Sequence, residues 1–168
     1  MANDILDVYG AAAVMDFDTN GGVLHSLANA YLAWSAQVTD ASPCVPRVMV
    51  HAQITVAASG LTAGLPIEFY LARRDDHATE LCDGDATITA DHGTSGTAAV
   101  VTHLRTNLQL VGVIVIDATN SVVYTKSFII EDPGPDWSLV IYNGTGQAFA
   151  DGDTAHIIHY RTINPQVQ

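Results

Sequence analysis

Arg47-Val48-Met49-Val50-His51-Ala52-Gln53-Ile54-Thr55-Val56 is the stretch that decides the fold. Val48, Val50, Ala52, Ile54 and Val56 alternate with Met49, His51, Gln53 and Thr55. Successive side chains of an extended chain point to opposite faces, so this period of two puts one apolar set on one side of a strand. A helix would scatter both sets around its circumference. The segment is read as a strand that buries one face.

Outward from it the same pattern recurs. Ser59-Gly60 and Ala63-Gly64 punctuate a turn. Ile67, Phe69 and Leu71 then alternate with Glu68 and Tyr70 in a second strand, which ends in Arg73-Arg74-Asp75-Asp76. A polar, Gly-rich stretch runs from His77 to Ser95, with a short strand expected at Ala86–Ala90. Leu108 to Ile116 is apolar on both faces, the pattern of a central strand. Asp117-Ala118-Thr119-Asn120 turns it into the β-branched and aromatic run Val122–Ile130. Pro133-Gly134-Pro135 breaks the ladder, because proline has no N–H to donate. Trp137–Tyr142 is the next strand, and Asn143-Gly144 is a hairpin-type turn signal. A last strand, Ala155–Thr162, is expected to stop before Pro165. Helical spacing is absent from Arg47 onward. About six or seven strands separated by turn signals predict an all-β, antiparallel β-sandwich or jelly-roll-like domain.

The first 46 residues read less simply. Val23, Leu24, Leu27, Ala28, Tyr31 and Leu32 fit a helix face, whereas Leu32, Trp34, Ala36 and Val38 fit a strand, and strand with loop is the reading adopted. Residues 1–20 mix Ile5, Leu6, Val8 and Tyr9 with Ala11–Ala13 and Asp16/Asp18. They are assigned to an extended N-terminal arm that packs on a neighbour, the alternative being the first strand of the sandwich. Residues 21–168 form the sandwich domain.

At 168 residues the chain fits one domain with its own core, burying roughly 70% of its unfolded surface. Six Lys+Arg against eighteen Asp+Glu give a formal net charge of −12. Such a surface repels phosphate backbones and anionic membranes, so nucleic acid and membrane are not expected partners. Only 14% of residues are charged, against about 25% in an average soluble protein. Part of the neutral exterior is therefore expected to be covered by another protein. Trp34 and Trp137 are read either as interface anchors or as core.

The start Met1-Ala2-Asn3-Asp4 lacks a basic region followed by an apolar run, so no signal peptide is expected. No stretch of ~18 apolar residues is present to span a bilayer. Cys44 and Cys82 are read as free thiols.

Catalytic and metal chemistry find little footing. His156 and His159 are three apart, which on a strand sends them to opposite faces and prevents a shared metal. His51 and His103 read as lone residues on strand faces. No nucleophile elbow, HExxH or P-loop is present. Asp75-Asp76, Asp83/Asp85 and Asp151/Asp153 fall in expected turns, where aspartate bonds its own backbone. Asp83, Asp85 and Asp91 offer oxygen ligands to calcium but lack the distal Glu of a full calcium loop. Asn143-Gly144-Thr145 spells a glycosylation sequon and is read instead as a turn. The expectation is a binding protein, not an enzyme, with no cofactor and no metal.

Three pieces carry a resemblance: Leu65-Pro66-Ile67-Glu68-Phe69-Tyr70-Leu71-Ala72-Arg73, Leu110-Val111-Gly112-Val113-Ile114, and Asp136-Trp137-Ser138-Leu139-Val140-Ile141-Tyr142-Asn143-Gly144-Thr145-Gly146-Gln147-Ala148 followed by Ala155–Tyr160. Together, over roughly residues 48–163, they resemble small virion structural proteins of tailed bacteriophages, several of which are taken to be head decoration (cement) proteins. Phe149 departs from the smaller aliphatic residue usual there, and the first 46 residues match poorly. The resemblance implies a β-sandwich on the capsid exterior of the virion, bound to the major capsid protein. It also implies association with itself as a homo-oligomer, taken as a trimer, and no catalytic residues. Ile5, Leu6, Val8 and Tyr9 are the expected partner-binding residues. Two rivals are a tail or head-fibre component and a carbohydrate-binding module, for which Tyr70, Tyr124 and Tyr142 are the candidate aromatics.

Overall fold

The computed structural model describes residues 5–17, 24–39, 45–56, 59–73, 93–95, 98–119, 122–152 and 155–167. Along the chain they form β1 (Ile5–Tyr9), β2 (Ala13–Val14), β3 (Leu32–Trp34), β4 (Val38–Thr39), β5 (Arg47–Thr55), β6 (Pro66–Arg73), β7 (Gly93–Ser95), α1 (Ala98–Asn107), β8 (Gln109–Val115), β9 (Val123–Glu131), β10 (Asp136–Asn143) and β11 (His156–Val167). Every strand pairing is antiparallel. One sheet runs β1-β11-β5-β9, with β2 also on β11; the other runs β7-β3-β10-β6-β8, with β4 also on β10. The chain thus crosses between sheets from β5 to β6, from β8 to β9, from β9 to β10 and from β10 to β11, while β6 and β8 pair within one sheet, and the last strand returns beside the first. This is the wiring of a jelly roll, an all-β sandwich.

The core lies where the two apolar faces meet. Val48, Val50, Ala52 and Ile54 of β5 are buried, and so are Ile67, Phe69 and Leu71 of β6 and Trp137, Leu139 and Ile141 of β10. Two aromatic pairs link the sheets. Phe69 meets Phe128 of β9 at 5.2 Å between centroids, and Trp137 meets Tyr160 of β11 edge-on at 5.6 Å. Gly112 of β8 makes room for the first pair, since a Cβ there would stand 2.8 Å from Phe128 Cδ1. Both tryptophans are core: Trp34 is 3% exposed and Trp137 1%.

Four details differ from the sequence reading. Ala98–Asn107 is a helix, although helical spacing was not expected there. Its inward positions, Val101, Arg105 and Leu108 just beyond its end, recur at i, i+4 and i+7, but the β-branched Val100, Val101 and Thr102 mask that signal. His103 consequently sits on α1 and not on a strand. β8 is an edge strand and not a central one, with Leu110 and Val115 exposed.

Finally, β11 continues through Pro165 to Val167. Gly10 N donates to Thr162 O, which fixes the even-numbered β11 residues as those bonded to the β1 side. Pro165 therefore turns its ring nitrogen to the opposite side, where β5 has already ended. No ladder bond is lost. The expected strand at Ala86–Ala90, and Cys44, Cys82, Asp83, Asp85 and Asp91, lie outside the described residues.

The turns are built by short polar contacts. Between β8 and β9 the Asp117 carboxylate accepts from Thr119 N at 2.7 Å and from the Tyr124 hydroxyl at 2.7 Å. These bonds to the ionised form hold the Asp117 carboxyl below its ordinary range. Between β9 and β10, Gly134 takes φ 85° while Arg73 donates to the Asp132 carbonyl.

Asn143-Gly144 does not close a tight hairpin, because β10 and β11 lie in different sheets. Asn143 is fully buried, and its amide joins the chain at three places. Nδ2 donates to the carbonyls of Leu27 (2.7 Å) and Gln147 (2.8 Å), while Oδ1 accepts from Thr145 N (3.0 Å) and Thr145 Oγ1 (2.7 Å).

Two stability outcomes follow. Gly112→Ala should cost about 1–3 kcal/mol by overpacking, read as a lower urea midpoint with an unchanged slope, and adding Phe128→Leu should recover part of the loss. Asn143→Ala should cost about 3 kcal/mol, because it strands buried carbonyls and the Thr145 donors. Wild-type stability in that variant would show the clamp to be dispensable.

Candidate interaction surface

The two sheets treat their outer faces differently. On the β10-containing sheet, Leu32, Trp34, Tyr70, Ala72 and Val140 form a second apolar cluster with Val101 of α1, and Leu108 and Tyr142 pack against it. A polar lock holds the helix there. Arg105 donates to both carboxylate oxygens of Glu68, at 2.8 and 2.9 Å, and its guanidinium lies 4.3 Å from the Tyr142 ring centroid. The Tyr70 hydroxyl donates to Glu68 Oε2 at 2.5 Å. Burial, together with this bond to a carboxylate, pushes the Tyr70 phenol up to about 12. Tyr70, Tyr124 and Tyr142, the aromatics considered for a sugar platform, are thus occupied by helix docking or by the Asp117 turn.

On the other sheet no described helix covers the outer face, although Ile163 in its end row is 1% exposed. Strand register arranges it in rows. The end row is Tyr9–Ile163–Arg47–Glu131, where the Arg47 guanidinium also pairs with the Asp7 carboxylate. Arg161–Met49–Ile129 follows, with Ala12 beside Arg161; then Val14–His159–His51–Ser127; then Ile157–Gln53–Thr125. Val14, Ile129 and Ile157 are exposed. His51 Nδ1 lies 2.9 Å from Ser127 Oγ. Ala12, Met49, His51, Ser127, His159 and Arg161 line a shallow depression of about 390 Å³.

His51 is therefore not the lone histidine read from the sequence, since β5 and β11 set it directly opposite His159. Each strand's period of two put its histidine on the outer face. Only the pairing register, which the sequence does not display, brings the two together. His156 faces the core, opposite Ile54, and its Nε2 donates to the Ala150 carbonyl at 2.9 Å. With His25 and Phe17 it borders a cavity of about 300 Å³ beside β2. Among the described residues no group of three or more His, Cys, Asp or Glu is placed to hold a metal.

The expected partner-binding residues all lie on β1, an edge strand. Leu6, Val8 and Tyr9 are 46%, 40% and 52% exposed. Because Gly10 is bonded to Thr162, the alternate residues Ile5, Asp7 and Tyr9 turn their backbone N–H and C=O away from β11, along the sheet's open edge. Residues 13–14 add β2 farther along the same partner. No family model matches the chain, and the search of curated proteins finds no match either.

The Tyr70 phenol sets an alkaline limit on the helix lock. Its folded value lies above the ordinary 10.0, so the neutral form is favoured by folding. That contribution is complete below about pH 10 and is lost as pH rises towards about 12. Wild-type stability should fall more steeply across this window than that of Tyr70→Phe, as measured by denaturant unfolding at each pH.

Proposed function

We propose that this protein is a bacteriophage virion structural protein of the decoration type. In this reading it is a homo-oligomer on the capsid exterior that binds the major capsid protein and stabilises the head. The observation that carries the reading is the accessible β1 edge, where Leu6, Val8 and Tyr9 are exposed beside backbone groups that no described strand pairs. An exposed apolar edge is a liability in a free monomer and an asset in an assembly, where a neighbour covers it. The resemblance over residues 136–160 supports the same conclusion. Within that piece, Trp137 contributes to the core and Asn143 and Thr145 build the β10 clamp. Repetition over a lattice multiplies modest single contacts, so this short edge is sufficient for stable attachment.

The test is sedimentation of the purified protein with capsids lacking it. Wild-type protein should pellet with capsids at a fixed ratio to capsid subunits, and Leu6→Ser/Val8→Ser should remain in the supernatant while staying folded by circular dichroism. Failure of the wild type to pellet would overturn the decoration reading and direct the same assay to tails.

A further inference from the structure

Three of the six Lys+Arg of this acidic chain are committed. Arg47 pairs with Asp7, Arg105 with Glu68, and Arg73 donates to the Asp132 carbonyl. Arg161 makes no hydrogen bond or ion pair among the described residues. It stands exposed on the outer face of this sheet, one row from the cross-strand pair His51 and His159. Ser127 continues the histidine row, and the side chains converge on the depression of about 390 Å³.

Among the described residues no carboxylate occupies the rows of Arg161 and His159, while Asp16 extends the row of Ile157. Asp7 and Glu131 stand in or beside the end row with Arg47, and Asp16 follows β2. In a chain of net charge −12 the depression is a local reversal of sign, presenting a guanidinium fork, two imidazoles and a hydroxyl. Those donors match the two oxygens of a carboxylate. A metal fits less well, because Arg161 is a fixed positive charge one row from the imidazoles. Phosphodiester backbones are repelled by the remainder of the surface. Around the polar centre, Val14, Ile129 and Ile157 supply exposed apolar contacts of the kind a polypeptide covers.

We infer that this face docks an acidic segment of a partner protein, its carboxylates set against Arg161, His159 and His51. The inference rests on the proposed function only in expecting that partner on the capsid.

The experiment is an NMR titration of the full, isotope-labelled chain with hexaglutamate, with hexalysine and inorganic phosphate as the other arms. Hexaglutamate should shift the amides of Arg161, His159, His51 and Ser127 saturably. Binding should weaken with added salt and by roughly tenfold in Arg161→Ala, with Arg161→Lys in between. Absence of saturable shifts at these positions, or equal affinity in Arg161→Ala, overturns the inference. Phosphate binding as tight as hexaglutamate overturns it too, by leaving a simple anion site.

The capsid assay separates the two readings. Hexaglutamate binding by a protein that does not pellet with capsids supports this face and defeats decoration. Full capsid binding by an Arg161→Ala protein that has lost hexaglutamate binding leaves decoration standing and overturns this face as the capsid contact.

Discussion

The distance between the two sheets is the constraint on which the rest of the structure depends. Stacked sheets sit about 10 Å apart, and something must fill that gap without voids. Here two aromatic pairs do so, Phe69 with Phe128 and Trp137 with Tyr160. Each pair takes one ring from each sheet, so neither sheet can slide without separating them. Phe128 belongs to an edge strand, and its ring needs the space that Gly112 leaves on β8. A one-residue slip of β9 would turn Phe128 outward and bring Ser127 into the core. The rows on the outer face are fixed by the same registration.

The outer faces then diverge because of charge. The helix is held by an ion pair that is also stacked on an aromatic ring, and this uses one of only six Lys+Arg. With cations so scarce, placement matters more than number. One sheet closes its outer face with a helix from its own chain, whereas the other keeps His51, His159 and Arg161 accessible. The asymmetry gives the domain a back and a front.

Much of the fold was legible because the signal was local. The alternation over residues 48–56 and at Ile67, Phe69 and Leu71 marked two strands with their buried sides, and the apolar runs that became β9 and β10 marked strands. What was not legible depended on neighbours. β8 reads as central because both its faces are apolar, yet it ends a sheet whose far side faces β9. Helix α1 was hidden because Val and Thr favour strands in isolation and are overruled by docking of Val101 onto the sheet. The His51–His159 pair needed a register that no spacing of about 100 residues can state. The expected partner residues Leu6, Val8 and Tyr9 were visible as an apolar run, and the structure adds that the run has an open backbone edge.

The clamp at Asn143 also bears on how the protein can be made. Asn143-Gly144-Thr145 is an acceptor for the oligosaccharide transferase of a eukaryotic secretory pathway, which acts on chains as they emerge. In the folded domain the acceptor nitrogen is sealed from solvent and already donates two hydrogen bonds. A glycan added before folding would occupy the space into which β10 and the Leu27 turn must close. Production in a secreting insect or mammalian cell would therefore divide the chains into native, unmodified molecules and sugar-bearing ones unable to complete the sandwich. A bacterial cytoplasm, which lacks that transferase, yields only the first kind.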